Sequence, residues 1–278
     1  MTQPLIALLT DFGTSDPYVG VMKGVMASRC PDAQFIDITH EVDPQNIQQG
    51  AYLLRSAYQY FPSYTVFLVV VDPGVGTLRR PLAIKTDHGL YVGPDNGVFS
   101  GVLDEADSWQ AVVLWPPEHI SATFHGRDLF APAAADLASG RSLNEIGSPI
   151  VDIARPALLR TDHVARDILE GEVIHIDHFG NIITSLGHFD WRNEGRNLLL
   201  ERKPEISFEA LATQVMVGDT QIIGIQGTYG FTPPGTLLAL INSDRQLEIA
   251  VNQGSAASLT GVQLGDRVRI RFKLRSGE

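Results

Sequence analysis

Six consecutive apolar residues, Val66 to Val71, end abruptly on an acid, Asp72, followed by the turn Pro73-Gly74-Val75-Gly76. So short and uniformly apolar a run reads as a buried strand. A carboxylate is costly inside such a run, which places Asp72 at the strand's carboxyl end. Ligands of open α/β sheets bind at that end. Arg79 follows seven residues later, past the glycine turn, where it can fold back to face the acid.

The same reading gives strands at 5–10, 34–38, 82–86, 89–92 and 111–114, with helices at 18–28, 43–61 and 128–139. In the first helix Val21 and Val25 share a face. The second is expected to open with Asp43 as N-cap and Pro44 at the first helical position. Its residues Ile47, Ala51, Leu54, Ala57 and Phe61 keep helical spacing. In the third, Asp128 is the expected N-cap and Gly140 the stop.

Strands alternating with helices over the first 150 residues predict an α/β region with a mainly parallel sheet flanked by helices. Beyond residue 168 the pattern changes to strands at 172–176, 182–185, 221–225, 237–241, 247–251 and 267–272, with few helical stretches. This predicts a smaller C-terminal all-β barrel. The expected domains are 1–165 and 166–278, with the linker within 153–166.

The chain of 278 residues, 44% of them hydrophobic, is long enough for a sizeable core. No apolar run approaches the ~20 residues of a membrane span. No basic segment followed by an apolar one opens the sequence, so no signal peptide is expected. The single cysteine, Cys30, rules out an internal disulfide framework and a multi-cysteine metal site. These features favour the cytoplasm. A net charge of −11 opposes non-specific binding to nucleic acid.

Each candidate constellation has a structural and a chemical reading. Asp11 ends an apolar strand before Phe12-Gly13, where it either caps a turn or accepts the two hydroxyls of a ribose. Asp72 with Arg79 is either a structural ion pair or a rigid pair that orients water. Gly74 and Gly76 lack the lysine and the spacing of phosphate loops. His125, between Phe124 and Gly126, stands just before a helix start, where an imidazole can enter a cleft. Asn96 lies in the turn-rich loop 93–97. His175, Asp177 and His178 invite a metal reading, but no third well-placed ligand is evident. Asp177 with Phe179 and Asn181 suits an ammonium, a flat ring and a base edge. Asn242-Ser243 adds a second polar pair at a strand end.

Taken in order, Leu9-Thr10-Asp11-Phe12-Gly13, Val-Asp-Pro-Gly-Val-Gly (71–76) with Arg79-Arg80, Gly-Pro-Asp-Asn-Gly (93–97), Phe-His-Gly-Arg-Asp (124–128), Asp-His-Phe-Gly-Asn (177–181) and Asn242-Ser243 with Leu-Glu-Ile-Ala-Val-Asn (247–252) resemble one family. That family is the adenosine-forming S-adenosyl-L-methionine (SAM) hydrolases, or SAM hydroxide adenosyltransferases, relatives of the fluorinase and chlorinase enzymes. The resemblance runs nearly end to end. It implies an N-terminal α/β domain, a C-terminal β-barrel, and a homotrimer with active sites between subunits. It also implies attack of water on ribose C5′ of SAM, with no cofactor and no metal.

The resemblance puts the catalytic set on Asp72, Arg79 and His125 and the ribose acid on Asp11. Methionine contacts fall on Asp177 and Ser243. Adenine-side contacts fall on Phe179, Asn181 and Tyr229, with Phe12, Asn96 and Phe124 also lining the substrate. The halogenating relatives carry tyrosine where this chain has Asp72, tryptophan at Gln45 and arginine at Val251. The first difference favours water over halide; the last alters the adenine side. The competing readings are a SAM- or adenosine-binding regulator with little turnover, a SAM-dependent halogenase, and a metal hydrolase built on Asp11 and Asp72.

Overall fold

The computed structural model describes residues 2–158, 160–201 and 205–273. The chain forms two compact units, 1–158 and 159–278. The first contains β1 (Leu5–Thr10), α1 (Tyr18–Arg29), β2 (Gln34–Thr39), α2 (Ile47–Ala57), β3 (Val66–Val70), β4 (Pro81–Thr86), β5 (Gly89–Pro94), α3 (Ser100–Glu105), β6 (Trp109–Leu114), α4 (Ala131–Ala138) and β7 (Gly147–Ile150). Its strands form one sheet in the order β2-β1-β3-β5-β4-β6-β7.

The apolar strands are buried on both faces. Val66, Leu68 and Val70 of β3 join Ile6 and Leu8 of β1 in a core with Met22, Met26, Phe130 and Ala134. Phe67, Val69 and Val71 join Ala7 and Leu9 in the opposite core with Leu54, Tyr58, Phe99 and Val102. Helices therefore cover both sides, as buried parallel strands require. The sheet is parallel in its first half, through β2/β1, β1/β3 and β3/β5. It is antiparallel in its second half, through β5/β4, β4/β6 and β6/β7. Only Asp87 and His88 separate β4 from β5, and a two-residue link permits a hairpin but no crossover.

Three local expectations are corrected. In α1 the buried stripe is Val19, Met22 and Met26, while Val21 is exposed. In α2 the cap is Asn46, whose side chain accepts the Gln49 N–H at 3.0 Å, not Asp43. Helix cannot begin earlier because Gln45 holds a left-handed backbone, φ 67°. Asp128 is not an N-cap. It lies inside a π-helical turn, Gly126–Phe130, and its carboxylate takes Arg127 and the Ser121 N–H. Gly140 does end α4, at φ 98°.

The second unit contains β8 (Asp162–Ala165), β9 (Ile168–Ile176), β10 (Ile182–Gly187), β11 (Phe189–Arg192), β12 (Asn197–Leu200), β13 (Ile206–Glu209), β14 (Gln214–Val217), β15 (Thr220–Ile223), β16 (Ile225–Gln226), β17 (Leu237–Ile241), β18 (Gln246–Val251), the short helix α5 (Ala256–Thr260) and β19 (Arg267–Arg271). Nine of these strands make a nearly closed, barrel-like sheet, and β11-β12-β13 make a second. One core runs through both, from Leu169 and Ile182 to Phe208 and Phe272. Residues 162–165, expected in the linker and the first domain, pair as β8 with β9. The unit boundary accordingly falls at 158/159. Among the described residues, no helix is long and apolar enough to cross a membrane.

Candidate active site

Strand β1 lies between β2 and β3 and runs parallel to both. The chain leaves β1 for one neighbour, through α1 on one face, and later reaches the other through α2 on the opposite face. This is a topological switch point, where the carboxyl ends of two strands open a crevice. Thr10 and Val70 are register partners. Asp11 and Asp72 therefore leave adjacent parallel strands at nearly the same level.

Asp72 is held as the sequence suggests. Arg79 Nε donates to both carboxylate oxygens at 3.0 Å, and Nη2 donates to Oδ2. Arg79 also lies over the Phe130 ring, 5.1 Å from its centroid. The turn between acid and arginine is tight: Val75 N–H bonds the Asp72 carbonyl and Thr77 bonds that of Gly74. Gly76, at φ 75°, brings this loop against the 121–124 segment, where a Cβ would stand 2.5 Å from the Ala122 carbonyl oxygen.

The second hydrogen of Arg79 Nη2 points to His125 Nδ1 at 2.7 Å. Arginine has no acceptor, so Nδ1 carries the lone pair and the neutral ring is protonated on Nε2. Burial, then the Arg79 charge, push the His125 pKa below its ordinary 6.5. The three residues thus make one connected set. Asp11 stands near it; its carboxyl pKa is raised by burial and, to a smaller extent, by the Asp72 charge, against the Gln45 N–H, which bonds Oδ2 at 2.8 Å.

Phe12 and Phe124 meet at 6.2 Å, and each packs on Tyr18, at 5.8 and 5.3 Å. They form an aromatic wall beside Asp11 and His125. Tyr18 escaped the sequence reading because it looked like an ordinary first helical residue. Asn96 ties off the end of β3, donating to the Val71 carbonyl at 2.8 Å and accepting the Val98 N–H.

In the second unit the loop after β9 is built on Asp177. Its Oδ1 accepts the N–H groups of Phe179 and Asn181, and its Oδ2 accepts from Asn181 Nδ2 at 2.9 Å. This turn leaves Phe179 74% exposed, with its ring edge-on to His178 at 5.7 Å. Tyr229 lies in a 3₁₀ turn, Tyr229–Phe231, and its hydroxyl donates to Glu248 at 2.6 Å. Asn242 Oδ1 caps the β17–β18 turn by accepting from Asp244 and Gln246, and Ser243 is exposed at that turn. Sequence reasoning missed Glu248, although one acid inside the apolar run of β18 was visible. Among the described residues, no group of three or more His, Cys, Asp and Glu is gathered to hold a metal ion.

The architecture is that of an α/β unit with a polar, aromatic-edged crevice at its switch point, joined in the chain to a barrel-like unit with its own exposed aromatic loops. Residues 6–147 match the SAM hydroxide adenosyltransferase N-terminal domain and residues 171–269 the C-terminal domain. The chain belongs to this family. A protein of Salinispora tropica named (R)-S-adenosyl-L-methionine hydrolase is 38% identical over 277 residues, covering 96% of this chain and 97% of its own. A more distant relative, a fluorinase of Nocardia brasiliensis, is 27% identical over 303 residues, covering 97% of each. A crystal structure of an uncharacterized conserved protein from Thermotoga maritima superposes with a TM-score of 0.81 at 34% identity, covering 96% of this chain and 99% of that one.

Proposed function

We propose that this protein hydrolyses SAM to adenosine and L-methionine. Family membership and the named hydrolase relatives support the substrate and the reaction. The observation that carries the mechanism is the Arg79 guanidinium, bonded at once to Asp72 and to His125 at the carboxyl end of β3.

The sulfonium is already a good leaving group, so the site needs a positioned water rather than an acid. Water oxygen bonds to C5′, the C5′–S bond breaks, and its electron pair returns to sulfur as the thioether of methionine. His125 presents Nε2–H to the water oxygen and fixes its direction. Its Nδ1 lone pair is taken by Arg79, so the water's proton passes to Asp72, whose Oδ1 carries only one hydrogen bond from Arg79. Holding water in line saves entropy, and the proton transfer contributes roughly 10²–10⁴-fold. The carboxylate at 72 opposes an anion in the same place, which favours water over halide.

In this reading Asp11 takes the ribose hydroxyls, and Phe12, Asn96 and Phe124 line the sugar side. Asp177 and Ser243 take the methionine end; Phe179, Asn181 and Tyr229 take adenine. The protein works without cofactor or metal, in the cytoplasm, as a homotrimer whose sites are completed between subunits. Incubation with SAM in chelator-treated ¹⁸O-water tests the core of this. Equal adenosine and methionine, with the label in the adenosine 5′-hydroxyl, are expected. Untouched SAM, or label absent from adenosine, overturns it. Light scattering tests the trimer.

A further inference from the structure

We infer that His40 is a positioning residue for this reaction: with Thr10 and Asp37 it fixes the Asp11–Gly13 turn against the substrate's ribose. The inference rests on the reading of Asp11 as the ribose acid.

His40 directly follows β2 and is 4% exposed; Thr10 closes β1 and is fully buried. Thr10 Oγ1 and His40 Nδ1 are 2.8 Å apart. On the other side of the ring, Nε2 lies 3.1 Å from Asp37 Oδ1, a close polar approach whose N–H direction does not make it a hydrogen bond. The second oxygen of Asp37 accepts Lys23 Nζ, from α1, at 2.7 Å. We assign the ring proton to Nε2, on the side facing the Asp37 carboxylate, so that Nδ1 accepts the Thr10 hydroxyl hydrogen. The Thr10 oxygen is left to accept the Phe12 N–H, at 3.2 Å. The His40 carbonyl accepts the Gly13 N–H, at 2.8 Å. Both amides that follow Asp11 therefore end on this pair.

A hydroxyl, an imidazole and a carboxylate in sequence are the parts of an activated nucleophile. Here no substrate reaches the hydroxyl, because Thr10 is 0% exposed. What the relay delivers is orientation. The Asp11 carboxylate is held by the Gln45 N–H at 2.8 Å and by its own backbone N–H, and the Gln45 amide sits on a left-handed residue. Gly13 turns at φ 64° with open space around its missing Cβ, so the packing of the Phe12 ring on Tyr18 and Phe124 does not fix the Gly13 end of the turn. Hydrogen bonds to Thr10 and His40 do. Apolar residues would fill the space between β1 and β2 with less desolvation cost, which points to a role for the network beyond stability.

The test compares SAM with its 2′-deoxyribose analogue in wild type, Thr10→Val, His40→Ala, His40→Asn, Asp11→Ala and the Asp11→Ala/His40→Ala double variant. Wild type is expected to prefer SAM by about 100-fold or more in kcat/KM, because a site built for a hydroxyl rejects its absence. His40→Ala and the nearly isosteric Thr10→Val cut that preference about tenfold, mainly through KM. His40→Asn places an oxygen where Nδ1 stood and restores most of it. In the Asp11→Ala background, His40→Ala changes the preference less than twofold. Equal losses on both substrates in His40→Ala and Thr10→Val, or additivity with Asp11→Ala, overturn the inference while leaving the ribose assignment intact. Full preference in Asp11→Ala overturns the assignment itself, and this inference with it. Thr10→Val carries the same readout if His40→Ala does not fold.

Discussion

One nitrogen of Arg79, Nη2, serves both Asp72 Oδ2 and His125 Nδ1, the latter at 2.7 Å. Acid and imidazole are thereby locked to a single planar group. Lysine offers a point charge without the fork and reaches at most one of them. Arg79→Lys is expected to lower kcat by about 100-fold or more, within the range of a lost proton-transfer arrangement. KM for SAM should stay within about threefold, since no substrate contact is assigned to Arg79, and the melting temperature should barely move. Steady-state kinetics with SAM decides this; kcat within threefold of wild type refutes the bridging role.

The same bond sets a pH dependence. Protonated His125 has no lone pair for Arg79, so the active ring is neutral. Burial and the Arg79 charge hold its folded-state pKa below 6.5. The acid limb of kcat should therefore fall below pH 6.5 and disappear in His125→Asn, whose residual rate is lower throughout. Stability carries the same sign. As pH drops through 6.5 the unfolded chain takes the proton first, so this group's contribution is full above 6.5 and declines below it. A kcat profile whose histidine limb lies above 6.5 contradicts the arrangement.

Gly180 holds the loop that exposes Phe179. Its φ is 81°, and a Cβ there would stand 2.0 Å from Ser255 Oγ. Alanine pays about 1–2 kcal/mol for the left-handed backbone alone, before the collision. Gly180→Ala should tilt Phe179 and weaken SAM binding at least tenfold by calorimetry. Adding Ser255→Gly removes the side-chain collision but leaves the residue-255 Cα at 3.1 Å and the backbone strain, so partial recovery is expected. Complete recovery assigns the whole effect to the collision; no loss in the single variant removes the loop from the substrate site.

How much of this was legible varies with the range of the interaction. β1, β17 and the helix α1 could be read almost to the residue, because continuous apolar runs and helical spacing are local. The Asp72–Arg79 pair was legible because seven residues and a glycine turn separate them. The hairpin β4–β5 hid in a two-residue link without the usual Asn-Gly signal. The four-residue strands β11 to β14 are too short for alternation to register. The cap of α2 was misplaced because Gln45 serves Asp11, 34 residues away, and no local rule sees that. The Thr10–His40–Asp37 relay joins two strands brought together only by parallel pairing.

Glu248 lies in β18 between Leu247 and Ile249 and is 4% exposed. Its oxygen accepts the Tyr229 hydroxyl at 2.6 Å, and Asn242 adds a second bond. The charges acting on it, Asp177 and Asp244, are both negative. Burial chiefly, and these acids, raise its carboxyl pKa above 4.5. The native state therefore holds the proton more tightly than the unfolded chain. Its stability is highest below pH 4.5 from this group and is lost as pH rises through the raised folded value. Glutamine does not titrate and keeps an acceptor for Tyr229. The difference in melting temperature, Glu248→Gln minus wild type, should thus be lowest near pH 4 and grow toward pH 8. Glu248→Leu, which strands the Tyr229 hydroxyl, should weaken SAM binding about tenfold while Glu248→Gln does not. Calorimetric scans across that pH range decide the first point. A difference independent of pH means that the carboxyl is not held in its raised state by burial.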